Sequence, residues 1–202
     1  MEYKDACLFQ NRGFQPLAKV VGFGNRSPGE GRRRGCAETS GMNTQTNPPE
    51  PNREYETSLV ATNEERTAIF AIRMIVFVEE QAVPPEEELD AYDVTATHFL
   101  TRCLTPLPEN PTGIVATARL IDKGSGTGKI GRVAVLREYR GRGIGSLLMR
   151  TIEAHARDQG YTRLILEAQC HAIPFYEKLG YIAEGDIFLD AGIEHRLMHR
   201  AI

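Results

Sequence analysis

The sequence of 202 residues predicts an α/β domain with a mixed sheet flanked by helices. The order of its periodic segments is the first reason: strand, helix, three strands, helix, strand, helix, two strands. The second is a run, Asp122-Lys123-Gly124-Ser125-Gly126-Thr127-Gly128, whose glycines suit a hairpin between two of those strands. The third is another Gly-rich run, Arg140-Gly141-Arg142-Gly143-Ile144-Gly145, which leads a strand into an amphipathic helix.

Residues 1–53 carry scattered Gly, Pro, Asn, Ser and Arg with little periodicity, and are expected to form a disordered or weakly ordered extension. Arg32-Arg33-Arg34 is shorter than a basic localisation or nucleic-acid cluster and reads as part of a solvated tail. Arg12 and Arg26 give the segment a trace of an organellar presequence, against which Glu2, Asp5 and Glu30 count.

The ordered domain is expected over residues 54–202. It opens on a strand-like Tyr55–Ala61, followed by Asn63 as N-cap of a helix through about Val78. Glu64 and Glu65 complement the dipole of its first turn, and Ile69, Ile72, Val76 and Phe77 share its buried face. Chain direction resets at Pro84-Pro85 and Glu86-Glu87-Glu88, and strands follow at 97–102, 113–121 and 129–135. The next helix runs from Gly143 to Gln159, with Ile144, Leu147, Leu148, Thr151, Ile152 and His155 near one face and Gly160 as its C′ residue. A strand at 163–168, a helix at 172–179 ended by Gly180, and strands at 181–188 and 193–201 complete the order.

Composition narrows the function. Hydrophobic residues make up 41% of the chain, enough for one sizeable core. A net charge of -3 lacks the basic excess of a nucleic-acid binder, so small molecules or peptides are the expected partners. Cys7, Cys36, Cys103 and Cys170 form no C-x-x-C pair, which signals neither zinc nor a disulfide framework and fits a reducing cytoplasm. No apolar run is long enough to span a membrane, and the N-terminus lacks a secretory layout.

Two nucleotide motifs fail. Around Gly124–Lys129, Lys123 stands where a P-loop needs its first glycine, and Ile130 stands where it needs Ser or Thr. No G-x-G-x-x-G follows a strand and opens a helix. The informative segment is Val133 to Ser146. A helix start leaves backbone N–H groups unpaired and adds the positive end of its dipole, making an anion site. Gly141, Gly143 and Gly145 remove side chains that would hold phosphates away, and Arg140 and Arg142 add charge suited to a pyrophosphate. Read without any resemblance, the same run is equally a Gly-rich turn with surface arginines.

This segment resembles the GNAT family, whose motif is Arg or Gln, two residues, Gly, one residue, then Gly or Ala; Arg140, Gly143 and Gly145 match. Ala172-Ile173-Pro174-Phe175-Tyr176-Glu177-Lys178-Leu179-Gly180-Tyr181 resembles that family's tyrosine helix. The resemblance implies a mostly antiparallel sheet with splayed central strands, and acetyl-CoA as cosubstrate. It implies that Val133, Ala134 and Val135 offer backbone groups to the pantetheine arm, that residues 164–169 form the far wall of a wedge, and that Arg140 through Ser146 hold the pyrophosphate. Ile72-Arg73, Val76–Gln81, Asp90, Asp93, His98, Ala168–His171 and Gly192–Met198 resemble the ElaA-like branch, with Glu194 where that branch usually has proline.

Acyl transfer to an amine requires a neutral amine, a stabilised oxyanion and a proton for the departing thiolate. By the resemblance Tyr176 is the acid. Glu167 on the strand beside the wedge is a candidate base, although strand alternation also allows it to face solvent. Gln169 can donate and accept toward pantetheine amides. His98, Arg119 and His195 are candidates to contact the acceptor, each with a structural hydrogen bond or ion pair as the alternative, and Arg73 and Arg132 share that alternative. Glu79, Glu80, Asp90 and Asp93 lie in the segment that covers the acceptor in this family and suit a cationic amine or plain solvation. No metal is implied by the spacing of the histidines and carboxylates. The reading is an N-acetyltransferase, monomeric or homodimeric, acting on an amine-bearing acceptor without a covalent enzyme intermediate. Its rival is a non-catalytic acyl-CoA-binding regulatory module.

Overall fold

A computed structural model describes residues 54–202, and the extension expected over residues 1–53 lies outside the described residues. The strands are β1 (Tyr55–Leu59), β2 (Thr97–Cys103), β3 (Ile114–Asp122), β4 (Thr127–Val135), β5 (Arg163–Gln169), β6 (Ile182–Asp190) and β7 (Ile193–Ala201). The helices are α1 (Asn63–Arg73), α2 (Pro85–Glu88), α3 (Ile144–Asp158) and α4 (Ile173–Lys178). One sheet in the order β1-β2-β3-β4-β5-β7-β6 unites the strands, and only the β4–β5 pair is parallel.

Alternation along the strands sends side chains to two cores. On one face Leu148, Met149, Ile152 and Ala156 of α3 meet Phe99, Ile130, Leu164 and Leu166. On the other, Ile69 and Ile72 of α1 and the following Val76 meet Leu100, Ile114 and Ala134. Each fully buried Leu or Ile contributes about 1.5–3 kcal/mol. The hairpin between β3 and β4 closes where predicted, with Lys123 N–H on the Thr127 carbonyl at 2.9 Å and positive φ at Gly124, Ser125 and Gly126.

The first helix differs from its expectation at both ends. Thr62, not Asn63, is the N-cap: its hydroxyl accepts from Glu65 N–H at 3.1 Å while the Glu65 carboxylate accepts from Thr62 N–H at 3.2 Å. This reciprocal capping box satisfies two orphan donors and outcompetes the single bond that Asn63 could offer. Beyond Arg73 the α-helix does not continue to Val78 but widens into a π-helical turn over Met74–Glu79. Such turns are uncommon and recur next to functional sites. The first strand also stops at Leu59, opposite Phe99 of β2, with one further bond from Val60 N–H to the His98 carbonyl at 2.9 Å before the chain enters the Thr62 cap.

Candidate active site

The site begins with a mismatch in the sheet. β4 and β5 pair only from Thr127 to Ile130 against Arg163 to Leu166. Beyond that point β4 still pairs with β3 as far as Val135, and β5 still pairs with β7 as far as Gln169, so the two strands part while each stays anchored on its outer side. At the parting, Arg132 has φ 53 and the β3–β4 register slips. This bulge inverts the facing of the strand: Ile130 joins the α3 core before it, and Val133 and Val135 do so after it. The backbone of Gly131–Val135 therefore has no strand partner on the β5 side.

A cavity of about 760 Å³ fills the wedge. At one end the strand–loop–helix turn supplies Gly141, Gly143, Ile144, Gly145 and Ser146. Gly141 and Gly143 adopt φ 76 and 79, a left-handed conformation that glycine tolerates best. Gly143 is the N-cap of α3 and no side chain caps the helix, which leaves its first N–H groups for an incoming anion. A Cβ at Gly145 would lie 3.2 Å from the Phe175 ring, itself a wall of the cavity. The loop thus leaves backbone donors open to the close approach of an anion.

The two arginines of the loop have separate tasks. Arg140 borders the cavity, donates Nε–H to the Val135 carbonyl at 2.8 Å and pairs with Glu80 at 2.8 Å. Arg142 turns away toward the Tyr55 hydroxyl at 3.4 Å and the Tyr139 ring, and does not line the cavity. Ala134 also stays outside, with its side chain buried in the α1 core.

Tyr176, on α4, lines the cavity. Its ring is 8% exposed and gripped edge-on by Phe175 and Tyr181. Burial alone pushes its phenol up to about 12, so it is protonated at neutral pH, and no hydrogen bond to another described residue competes for it. Across the wedge, Gln169 donates Nε2–H to Gln81 Oε1 at 2.7 Å and so ties the end of β5 to the segment after the π-helical turn.

The other end of the cavity is ionic. Arg119 lines it and binds Asp90 through two hydrogen bonds and Asp93 at 2.7 Å. Behind it Arg73, 1% exposed, bonds Asp93 at 2.6 Å and Glu88, and Arg132 pairs with Glu88 at 2.9 Å. Three guanidinium groups thus face three carboxylates. Burial opposes ionisation of Asp93, but hydrogen bonds and charge from Arg73 and Arg119 prevail and hold it well below the carboxylate range. At Glu88 burial wins and raises it. His98 lies outside the cavity, buried against Phe70, with Nε2 at 3.0 Å from the Asp93 carbonyl; burial lowers its pKa and keeps it neutral.

Glu167 does face the cavity, where its carboxylate meets Lys129 Nζ at 2.7 Å. His195 borders the same space from β7, directly across the ladder from Gln169. Lys129, Asp190, Phe175 and Phe77 line it too; the sequence places Phe77 on a buried helix face and Phe175 in the tyrosine helix, and predicts none of the four as a site residue. Nothing local marks Asp190. Among the described residues no group of three His, Cys, Asp or Glu side chains is placed to hold a metal, and no helix is long and apolar enough to cross a membrane.

Comparison with known proteins gives consistent results. Residues 66–181 match the acetyltransferase (GNAT) family. YjcF of Bacillus subtilis, described as an uncharacterized N-acetyltransferase, is 39% identical over 143 residues, covering 70% of this chain and 96% of that protein. The crystal structure of Escherichia coli ElaA is 28% identical with a TM-score of 0.61 and covers 73% of this chain and 98% of its own. A GNAT family acetyltransferase from Elizabethkingia anophelis, crystallised with acetyl-CoA bound, shares the fold at 15% identity and a TM-score of 0.55, over 74% of this chain and 99% of its own.

Proposed function

The chain belongs to the GNAT acetyltransferase family, and from that premise we propose that it carries acetyl from acetyl-CoA directly to a primary amine. The observation that carries the reading is the wedge. The unpaired edge of Gly131–Val135, the uncapped start of α3, a protonated Tyr176 and the ionic groups all border one cavity.

Each part answers a need of the cosubstrate. The N–H groups at Ile144, Gly145 and Ser146 suit a pyrophosphate, which the helix dipole also favours. The free edge at Val133 and Val135 and the Gln169 amide suit the amides of a pantetheine arm. Acetyl-CoA supplies the activated thioester. Tyr176 holds a proton for the sulfur: burial keeps the phenol protonated, and it donates to the sulfur as negative charge develops. The ionic end, with Glu167, Asp190 and Arg119 at its walls, receives the acceptor.

Calorimetry of the full chain with acetyl-CoA, run beside thiol release from a panel of amines, tests this. Binding with amine-dependent release is the expected result. Binding without release from any amine would favour the regulatory module, and no binding would end the acetyl-CoA assignment.

A further inference from the structure

His195 stands where two spaces meet. Phe77, Arg132, Gln169, Asp190 and His195 border both the main cavity and a second pocket of about 100 Å³. Its Nδ1 lies 2.8 Å from the Ile193 carbonyl. A carbonyl oxygen only accepts, so Nδ1 carries the hydrogen, and the neutral ring presents its lone pair at Nε2. Nε2 has no partner among the described residues and is not sealed from solvent. Phe188 stacks on the ring at 6.0 Å and 24°, which limits its rotation, and the residue is 8% exposed.

A base for an amine needs this combination of a fixed tautomer, an open lone pair and a position on the wall of the cavity that receives the amine. The alternative, Glu167, has its carboxylate engaged by Lys129 at 2.7 Å. Charged groups near His195 are Asp190 in both spaces, Arg132 at their junction, Glu87 and Glu88 in the smaller pocket, and Glu167 two residues from Gln169 on β5.

Resting on the acetyl-transfer reading, we propose that His195 Nε2 is the general base that deprotonates the acceptor amine. As the amine nitrogen bonds to the acetyl carbon, its proton passes to Nε2. The carbon–sulfur bond breaks with its electron pair on sulfur, which takes the Tyr176 proton. The imidazolium then gives its proton to water, Tyr176 recovers one from water, and no net charge is left on the enzyme.

The test compares full-length wild type, His195→Asn, His195→Ala and Glu167→Gln, with acetyl-CoA and with putrescine, glucosamine and a tripeptide with a free N-terminus as probes. Asn retains an amide N–H for the Ile193 carbonyl but has no base. In His195→Asn, kcat should fall by about 10²–10⁴-fold while the acetyl-CoA Kd stays within about twofold. The acid limb of kcat/KM should vanish in that variant and persist in Glu167→Gln, whatever the latter does to the rate. Added imidazole should restore part of the rate to His195→Ala. An acid limb kept by His195→Asn, or lost only in Glu167→Gln, overturns the assignment. A wild type that binds acetyl-CoA without thiol release defeats the acetyl-transfer reading instead. Nitrogen-15 NMR of the free protein tests the premise independently: neutral His195 should carry its hydrogen on Nδ1, and an Nε2–H tautomer would sink the proposal.

Discussion

Glu80 holds Arg140 from 60 residues away: its carboxylate lies 2.8 Å from the guanidinium whose Nε–H caps the Val135 carbonyl at the mouth of the wedge. The π-helical turn ends at Glu79, so its geometry presents Glu80 to the loop and Gln81 to Gln169. Arg140 is 43% exposed, so this pair contributes at most about 1 kcal/mol to stability. Its value is in positioning. Glu80→Gln should leave unfolding within about 1 kcal/mol of wild type and raise the acetyl-CoA Kd by about two- to fivefold, read by calorimetry. Arg140→Lys should do worse than Glu80→Gln, since an ammonium cannot replace a planar fork that serves Val135 and Glu80 together.

Gly143→Ala separates conformation from space. Nothing lies within 4 Å of a Cβ there, yet φ is 79. The expected cost is about 1–2 kcal/mol in stability from the left-handed backbone, read by denaturant unfolding, with weaker acetyl-CoA binding because the α3 N–H groups lose their aim. At Gly145, which has ordinary φ, Ala should act mainly through Phe175 and cost affinity more than stability.

Tyr176→Phe should lower kcat by about 10²–10⁴-fold with the acetyl-CoA Kd nearly unchanged. It also has a signature in folding. The folded phenol is raised to about 12 by burial, so it binds its proton more tightly than the unfolded phenol near 10. Stability from that shift is fully present below about pH 10 and drains away as pH rises toward 12, by roughly 2–3 kcal/mol. Phe has no such loss, so its alkaline unfolding profile should be flatter than that of wild type.

The parts of this site that lie close together in the chain were legible in the sequence. Arg140 to Ser146 is a single local turn of chain whose residue types at fixed spacing mark a candidate anion site, whereas the role expected of Tyr176 came through resemblance. The splayed strands came through resemblance, because a pairing that stops after Ile130 leaves no mark in composition. The Arg132 bulge inverts which residues face the α3 core, and period-two reading cannot foresee a slip in register. Likewise His98 and Arg119 looked alike as acceptor contacts. Opposite one another on β2 and β3, one is packed behind Asp93 and the other lines the cavity, a distinction made by α2 and the turn after it.

The ionic cluster supplies the last prediction, because two of its acids titrate with opposite sign. Asp93 is lowered in the folded protein, since Arg73 and Arg119 overcome the penalty of burial. Its contribution is present above the ordinary carboxylate value of about 4 and is lost as pH falls through the lower folded value. Glu88 is raised by burial, so its shift favours folding below its unfolded value and that gain disappears as pH rises through the folded one. Asp93→Asn strands Arg73 and Arg119 with one fewer counter-charge and should cost about 3–5 kcal/mol at neutral pH. That deficit should shrink in denaturant titrations repeated below about pH 4. Glu88→Gln removes a carboxylate that is itself costly to bury, so it should cost less than Asp93→Asn at neutral pH. Equal costs at neutral pH, or a deficit for Asp93→Asn that grows on acidification, would contradict the opposite signs assigned to the pair.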